Sequence, residues 1–173
     1  MNKLKVGLDI DQVICEWWNP YVKRFGLPKK DSEITRNCSK IAKDRDFWIN
    51  LPVINRPYGF TPELYCTKRS CVKNYTKSWL KANNFPDRPV YQVLCQASNK
   101  ASYIKGRVDV FIDDSLSNFI AMNKSGVPCL LFDSDFNQDW GPIGRVYNLN
   151  YDHIEETYNL FMDTIFSNFR SLL

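Results

Sequence analysis

Histidine is almost missing from this chain of 173 residues, where His153 is the only one. The six cysteines, at 15, 38, 66, 71, 95 and 129, contain no Cys-x-x-Cys pair. Structural zinc, which draws on His and Cys at short spacing, is therefore disfavoured. Cys66, Cys95 and Cys129 each lie in an apolar, strand-like run, so buried free thiols packing as small hydrophobes are expected instead. Long apolar runs are absent too. No stretch approaches the ~18 residues that cross a bilayer. Asp9 and Asp11 interrupt the only apolar N-terminal run, which removes a secretory pattern and leaves a cytoplasmic chain as the expectation. There is no block of basic residues: the net charge of +4 is spread along the chain, so nucleic-acid binding is not demanded and an anionic small molecule suits equally. Neither a repeat nor a low-complexity tract is present.

What is there belongs to a folded domain. The chain is 44% hydrophobic and 24% charged, and its 173 residues are the length of one domain with a real core. Short apolar runs alternate with amphipathic stretches, the pattern of an α/β fold with a parallel sheet and crossover helices. Strands are expected at Leu4 to Ile10, Leu64 to Thr67, Val90 to Cys95, Val108 to Ile112 and Val127 to Phe132. Helices are expected at Ser70 to Asn83 and at Ser115 to Ser125, the latter stopped by Gly126. A final helix starts at Asp152, which with Glu155 resembles a capping box; Ile154, Tyr158, Phe161, Met162, Ile165, Phe166 and Phe169 recur along it at helical spacing. His153, near its start, reads as solvent-facing.

Residues 14–60 break the alternation, being too long for a crossover. Helical stretches around Val13 to Phe25 and Ser32 to Lys43, with the aromatic mass of Trp17, Trp18, Tyr21, Phe25, Phe47 and Trp48, make this insert a folded cap. The expected division is a core of residues 1–13 and 61–173 with a small helical cap at 14–60. Trp17 and Trp18, being adjacent, cannot share one helix face, and one is expected inside with the other toward the pocket.

Ligands of doubly wound sheets bind outside the carboxyl ends of the strands. At those ends this sequence places Asp9 and Asp11, then Thr67, Lys68 and Arg69, then Lys100, then Asp113 and Asp114. Paired carboxylates of this kind suit magnesium, which takes one or two protein carboxylates beside waters and substrate phosphate. Taken alone, each motif has a plain reading: Asp113 and Asp114 as a helix cap before Ser115, Thr67 as a strand-end hydroxyl, and 137–142 as a loop serving either rim closure or substrate contact.

In that order, Asp-x-Asp, Thr, Lys and Asp-Asp, the chain resembles the haloacid dehalogenase-like superfamily of phosphotransferases. The stretch from Phe47 to Pro52, the Tyr65-Cys66-Thr67 motif and Phe132-Asp133-Ser134 followed by Asn137 are similar to its 5'(3')-deoxyribonucleotidase branch. The resemblance implies a Rossmann-like three-layer fold and a phosphomonoesterase working through an aspartyl-phosphate. Asp9 would be the nucleophile and Asp11 the general acid and base. Thr67 and Lys100 would hold the phosphoryl oxygens, with Lys105 the alternative lysine. Magnesium would be held by Asp9, the main-chain carbonyl of Asp11 and Asp113, and Asp114 would orient this shell or join it.

Gln12 departs from the family's usual glycine and would narrow the pocket mouth or touch substrate. Lys68, Arg69 and Trp17 are the other expected substrate contacts. A nucleoside monophosphate is the expected substrate, a DNA or RNA end the alternative, and an inactive binding module on the same fold the non-enzyme reading; a homodimer is compatible with all three. A receiver domain shares the aspartate, threonine, lysine and magnesium, but it places its acidic pair at the first strand and its phosphoacceptor at the third, and has no long insert after the first strand.

Overall fold

The computed structural model describes residues 3–93 and 100–170, with the side chains of the last helix described through residue 165. Its centre is a six-stranded, all-parallel sheet flanked by helices, a Rossmann-like three-layer α/β fold, as the alternation of runs predicts. The strands are β1 (Val6–Leu8), β2 (Leu64–Lys68), β3 (Val90–Val93), β4 (Val110–Asp113), β5 (Cys129–Phe132) and β6 (Arg145–Val146). β1, β4 and β5 are buried at every position. That is why they read as continuous apolar runs and not as alternating ones: a strand covered by helices on both faces has no polar side.

The spatial order is β3, β2, β1, β4, β5, β6. The chain builds outward from β1 to β2 and β3, then crosses back to start β4 on the other side of β1. The carboxyl ends of β1 and β4 therefore adjoin at the point where the winding reverses, and the crevice there is the natural ligand site of such a sheet. Gly7 sits at the centre of this pairing, opposite Leu64 on one side and Phe111 on the other. A Cβ at Gly7 would lie 2.8 Å from the Phe111 ring, 3.1 Å from Val108 and 3.2 Å from Leu64. We expect Gly7→Ala to lower unfolding free energy by about 1–3 kcal/mol through overpacking; an unchanged denaturant midpoint would show that the sheet can open there.

Helices α1 (Trp18–Phe25), α2 (Asp31–Ile41) and α3 (Arg45–Ile49) lie between β1 and β2, so residues 14–60 contribute no strand to the sheet. The insert leaves and rejoins the body at one neck: Cys15 pairs with Val53, Glu16 N–H donates to Pro52 O at 2.9 Å and Ile54 N–H to Ile14 O at 3.1 Å. The first cap helix starts at Trp18, five residues later than the apolar spacing suggests. Residues 10–15 are spent on a tight turn, in which Ile14 and Cys15 N–H both donate to Ile10 O, and the Glu16 carboxylate then takes the Trp18 and Asn19 amides. α1 ends at Gly26, whose φ of 78° is left-handed. The third cap helix, capped by Asp44 on Phe47 N–H, is too short to carry a periodic signal.

α4 (Lys73–Ala82) follows β2, α5 (Ala101–Ile104) precedes β4, and α6 (Leu116–Lys124) follows β4. Ser115 caps α6, its hydroxyl accepting from Asn118 N–H, and Gly126 lies just past its end with φ 73°. α7 (Tyr151–Arg170) buries Ile154 and Phe161, with Tyr158, Met162 and Ile165 packed beside them; Phe166 and Phe169 lie outside the described side chains. Its capping is shifted from the expected Asp152–Glu155 box. Asn150 Oδ1 takes the Asp152 amide, and Glu155 instead accepts the Tyr151 hydroxyl at 2.9 Å. His153 is half-buried, its Nε2 accepting from Tyr147 N–H.

β6 was not expected from the sequence: it is two residues long and begins with a charged Arg145, which is held by Asp133 and Asn137 and not by an apolar pattern. Cys15, Cys66, Cys71 and Cys129 are buried free thiols and Cys38 is half-buried, while Cys95 and the end of the expected third strand fall outside the described residues. Among the described residues, no helix is long and apolar enough to cross a membrane.

Candidate active site

Asp9 leaves β1 with its backbone still tied to the sheet, Asp9 N–H donating to Ile112 O at 2.9 Å. Its carboxylate is buried. One oxygen takes the Ile10 amide at 2.7 Å and the other meets Lys100 Nζ at 2.6 Å. The same ammonium lies 2.7 Å from Asp113 at the end of β4. Lys100 is 1% exposed, so this is a buried cation clamped between two carboxylates that come from adjacent strands. Lys105, the alternative in sequence, is exposed and donates to Ser125 O, which leaves Lys100 as the lysine of the site.

Asp113 is held from α6. Its Oδ1 accepts from Ser115 N–H and Asn118 Nδ2, both at 3.0 Å, and Asn118 Nδ2 also reaches Oδ2. Lys68 Nζ donates to Asn118 Oδ1 at 2.7 Å. Lys68, expected at substrate, is thus a neighbour of the acidic cluster through an amide. Asn118 was missed from the sequence; its signal is the spacing that returns it to the first turn of α6, over the strand end.

Oxygens of Asp9, Asp113 and Asp114 all lie within 4.8 Å of one another. Three carboxylates here face one ammonium, which leaves negative charge in excess. Burial pushes the Asp9 carboxyl up to about 7, with Lys100 opposing the rise and Asp113 and Asp11 adding to it. Asp114 is also pushed well up, by burial first and then by Asp113 and Asp9. Burial works against the Lys100 cation, but Asp113 and Asp9 outweigh it and hold the proton on. An all-oxygen donor set with uncompensated negative charge fits a hard divalent cation such as magnesium. Asp114 belongs to this oxygen set directly, whereas the Asp11 side chain stands outside it.

These shifts carry a pH dependence. A carboxyl whose folded pKa exceeds its unfolded value of 3.8 holds protons more tightly in the fold, so its contribution to metal-free stability falls as pH rises from about 4 to about 7. A cation must displace those protons. We expect magnesium to raise the thermal midpoint more at pH 8 than at pH 5.5; equal gains at both would detach cation binding from this cluster.

Asp11 is engaged elsewhere. Arg69 grips it with two nitrogens, Nε at 2.9 and 3.0 Å from the two oxygens and Nη2 at 2.6 Å, while Thr67 Oγ1 donates to it at 3.1 Å. Arg69, expected at substrate, is 1% exposed, and its charge is taken up by Asp11. Thr67, fully buried on β2, reaches the same carboxylate.

Gln12 has φ 58°, the left-handed region that a β-carbon disfavours, which accounts physically for a preference for glycine at such a turn. Its side-chain oxygen accepts from Trp17 and Trp18 N–H, so Gln12 organises the entry to α1. A cleft of about 730 Å³ opens beside Asp114, between the cap and the loops after β4 and β5. Gln12, Trp17, Trp18, Lys30, Ser115 and Phe136 are among its lining residues. Both tryptophans are half-buried and line it; Trp17 also packs on the core, as expected of one of the pair, and Trp18 meets Phe136 edge-on at 5.2 Å. Phe136, in an irregular loop, had no periodic signal. The neighbouring Asn137 closes the rim instead of facing the cleft. It is buried, donates to Asp114 O and Phe132 O, and accepts from Arg145, which also pairs with Asp133. Ser134 Oγ is buried beside them with no hydrogen-bond partner among the described residues.

No protein-family model matches the chain, and neither does any curated protein sequence.

Proposed function

We propose that this chain is a magnesium-dependent phosphomonoesterase of the haloacid dehalogenase-like type, acting on a nucleoside monophosphate. The observation that carries the reading is the clamp: Asp9 and Asp113, more than 100 residues apart in sequence, share the buried Lys100 ammonium at 2.6 and 2.7 Å. Asp11 and Thr67, from the same motif order, lie at the same strand ends.

Asp9 attacks phosphorus and becomes an aspartyl-phosphate, splitting one hard displacement into two. Asp11 gives a proton to the departing alkoxide and then takes one from the water that cleaves the acyl-phosphate. Lys100 stabilises charge on the transferring oxygens, and the Thr67 hydroxyl joins it when it turns from Asp11 to the phosphate. Asp9, Asp113 and Asp114, with the main-chain oxygen of Asp11, would hold magnesium, whose positive charge supplies further stabilisation of the phosphoryl oxygens. Trp18 and Phe136 offer the cleft's aromatic surface to a base. The exposed Lys29 and Lys30 at the cleft edge favour, as a second reading, a nucleic-acid end with further phosphates.

The test is phosphate release from 5' and 3' ribo- and deoxyribonucleotides, other phosphomonoesters and a phosphate-ended oligonucleotide, with magnesium or EDTA. Magnesium-dependent turnover of mononucleotides is expected. Turnover confined to the oligonucleotide would favour the second reading, and no release from any substrate would leave a binding module on this fold.

A further inference from the structure

The proposed mechanism gives Asp11 two opposite tasks, donating a proton and then accepting one, and both require its carboxylate to be aimed. The residue that aims it is absent from that mechanism. Arg69 lies two positions beyond Thr67, just past the end of β2. Its Nε bridges both Asp11 oxygens, its Nη2 adds a contact at 2.6 Å to Oδ1 and reaches Cys15 Sγ at 3.2 Å, and its Nη1 reaches Thr76 Oγ1 at 3.5 Å. The guanidinium carbon lies 5.2 Å from the ring of Trp48 in α3 and 6.0 Å from that of Trp79 in α4. Each ring is fixed by its own indole N–H, Trp48 on Ile41 O and Trp79 on Leu51 O, both at 2.7 Å. Each side-chain nitrogen of Arg69 has a partner inside the protein, and the residue is 1% exposed and not among those lining the cleft.

Resting on the phosphomonoesterase reading, we infer that Arg69 is the positioning residue of Asp11, holding the acid–base carboxylate in one plane from the cap side without touching substrate. A planar two-pronged donor fixes both the direction and the rotation of a carboxylate, which a lysine ammonium does not do. Thr67 fixes one oxygen further. Asp11 lies between a short strand and a left-handed turn at Gln12, so without Arg69 the Thr67 contact is the one left among the described residues to orient its side chain.

The experiment is a cycle of Arg69→Met, Asp11→Asn and the double variant, assayed with magnesium on an alkyl phosphomonoester and on p-nitrophenyl phosphate. We expect Arg69→Met to lower kcat on the alkyl ester by about 10²-fold, the scale of general acid–base catalysis, with little change in KM. The loss should be smaller on p-nitrophenyl phosphate, whose leaving group departs without a proton. In the Asp11→Asn background the second substitution should cost nothing more. Arg69→Lys, which keeps charge and most of the volume, separates misfolding from misaiming: it should melt near the wild-type temperature and still lose kcat. Independent, multiplying losses, or a raised KM with kcat retained, would overturn the inference while leaving the phosphatase reading intact. A wild-type chain without turnover on any substrate overturns both.

Discussion

Asp9→Asn should abolish magnesium-dependent phosphate release while leaving the fold in place. The substitution keeps the shape of the side chain and its contact with the Ile10 amide but removes the attacking oxygen's charge. Removing a nucleophile that forms a covalent intermediate typically costs 10⁴-fold or more in kcat, on the order of 5 kcal/mol or above in barrier. Stability should fall modestly: one amide oxygen cannot serve both the Ile10 N–H and Lys100, but Asp113 still pairs the ammonium, and burial and the carboxylate neighbours already disfavour the ionised Asp9. Steady-state rates and a thermal melt on the same preparation check both halves. Retained turnover would show that Asp9 only binds, and a collapsed melt would show that it is structural.

Lys100→Met should have the second largest effect, and here chemistry and stability fall together. The ammonium pairs directly with Asp9 and Asp113, beside Asp114. Without it, buried carboxylates are left unpaired, which costs about 3–5 kcal/mol where one partner of a buried pair is removed. Loss of a charged donor to the transferring oxygens costs a further ~10²- to 10³-fold in kcat. The cluster also predicts an asymmetry: magnesium should restore more thermal stability to Lys100→Met than it adds to the wild type, because it takes the place of the lost ammonium between the carboxylates. Equal magnesium gains in the two proteins would mean that cation and lysine serve different carboxylates.

The sheet was legible because its central strands are buried on both faces and so stand out as apolar runs ending in polar residues. The cluster was legible for the same reason, since Asp9 and Asp113 are strand-end residues and the winding order does the rest. What could not be read is what depends on side-chain direction. Arg69 and Lys68 look alike in sequence, two cations after Thr67, yet one is sealed under Trp48 and Trp79 and the other reaches Asn118. Asn137 and Phe136 are adjacent in a loop, and only the fold separates the buried amide from the cleft aromatic. β6 gave no signal because hydrogen bonds to Arg145, rather than apolar spacing, keep it in place.

The narrow neck at Cys15 and Val53 has a meaning for how such a protein diversifies. A segment that departs and returns through neighbouring residues can change length at small cost, because closure entropy grows only slowly with the number of residues enclosed. The helices between could be lengthened, trimmed or exchanged for others without shifting the strand ends, so that, on the proposed reading, substrate choice and phosphate chemistry evolve on separate tracks. The exceptions lie on and beside α3: Trp48 covers Arg69, Leu51 O holds the Trp79 indole and Ala42 O takes the Val72 N–H. Any transplanted insert would have to bring an equivalent ring, or inherit the binding surface of the new cap with the proton transfer of neither parent.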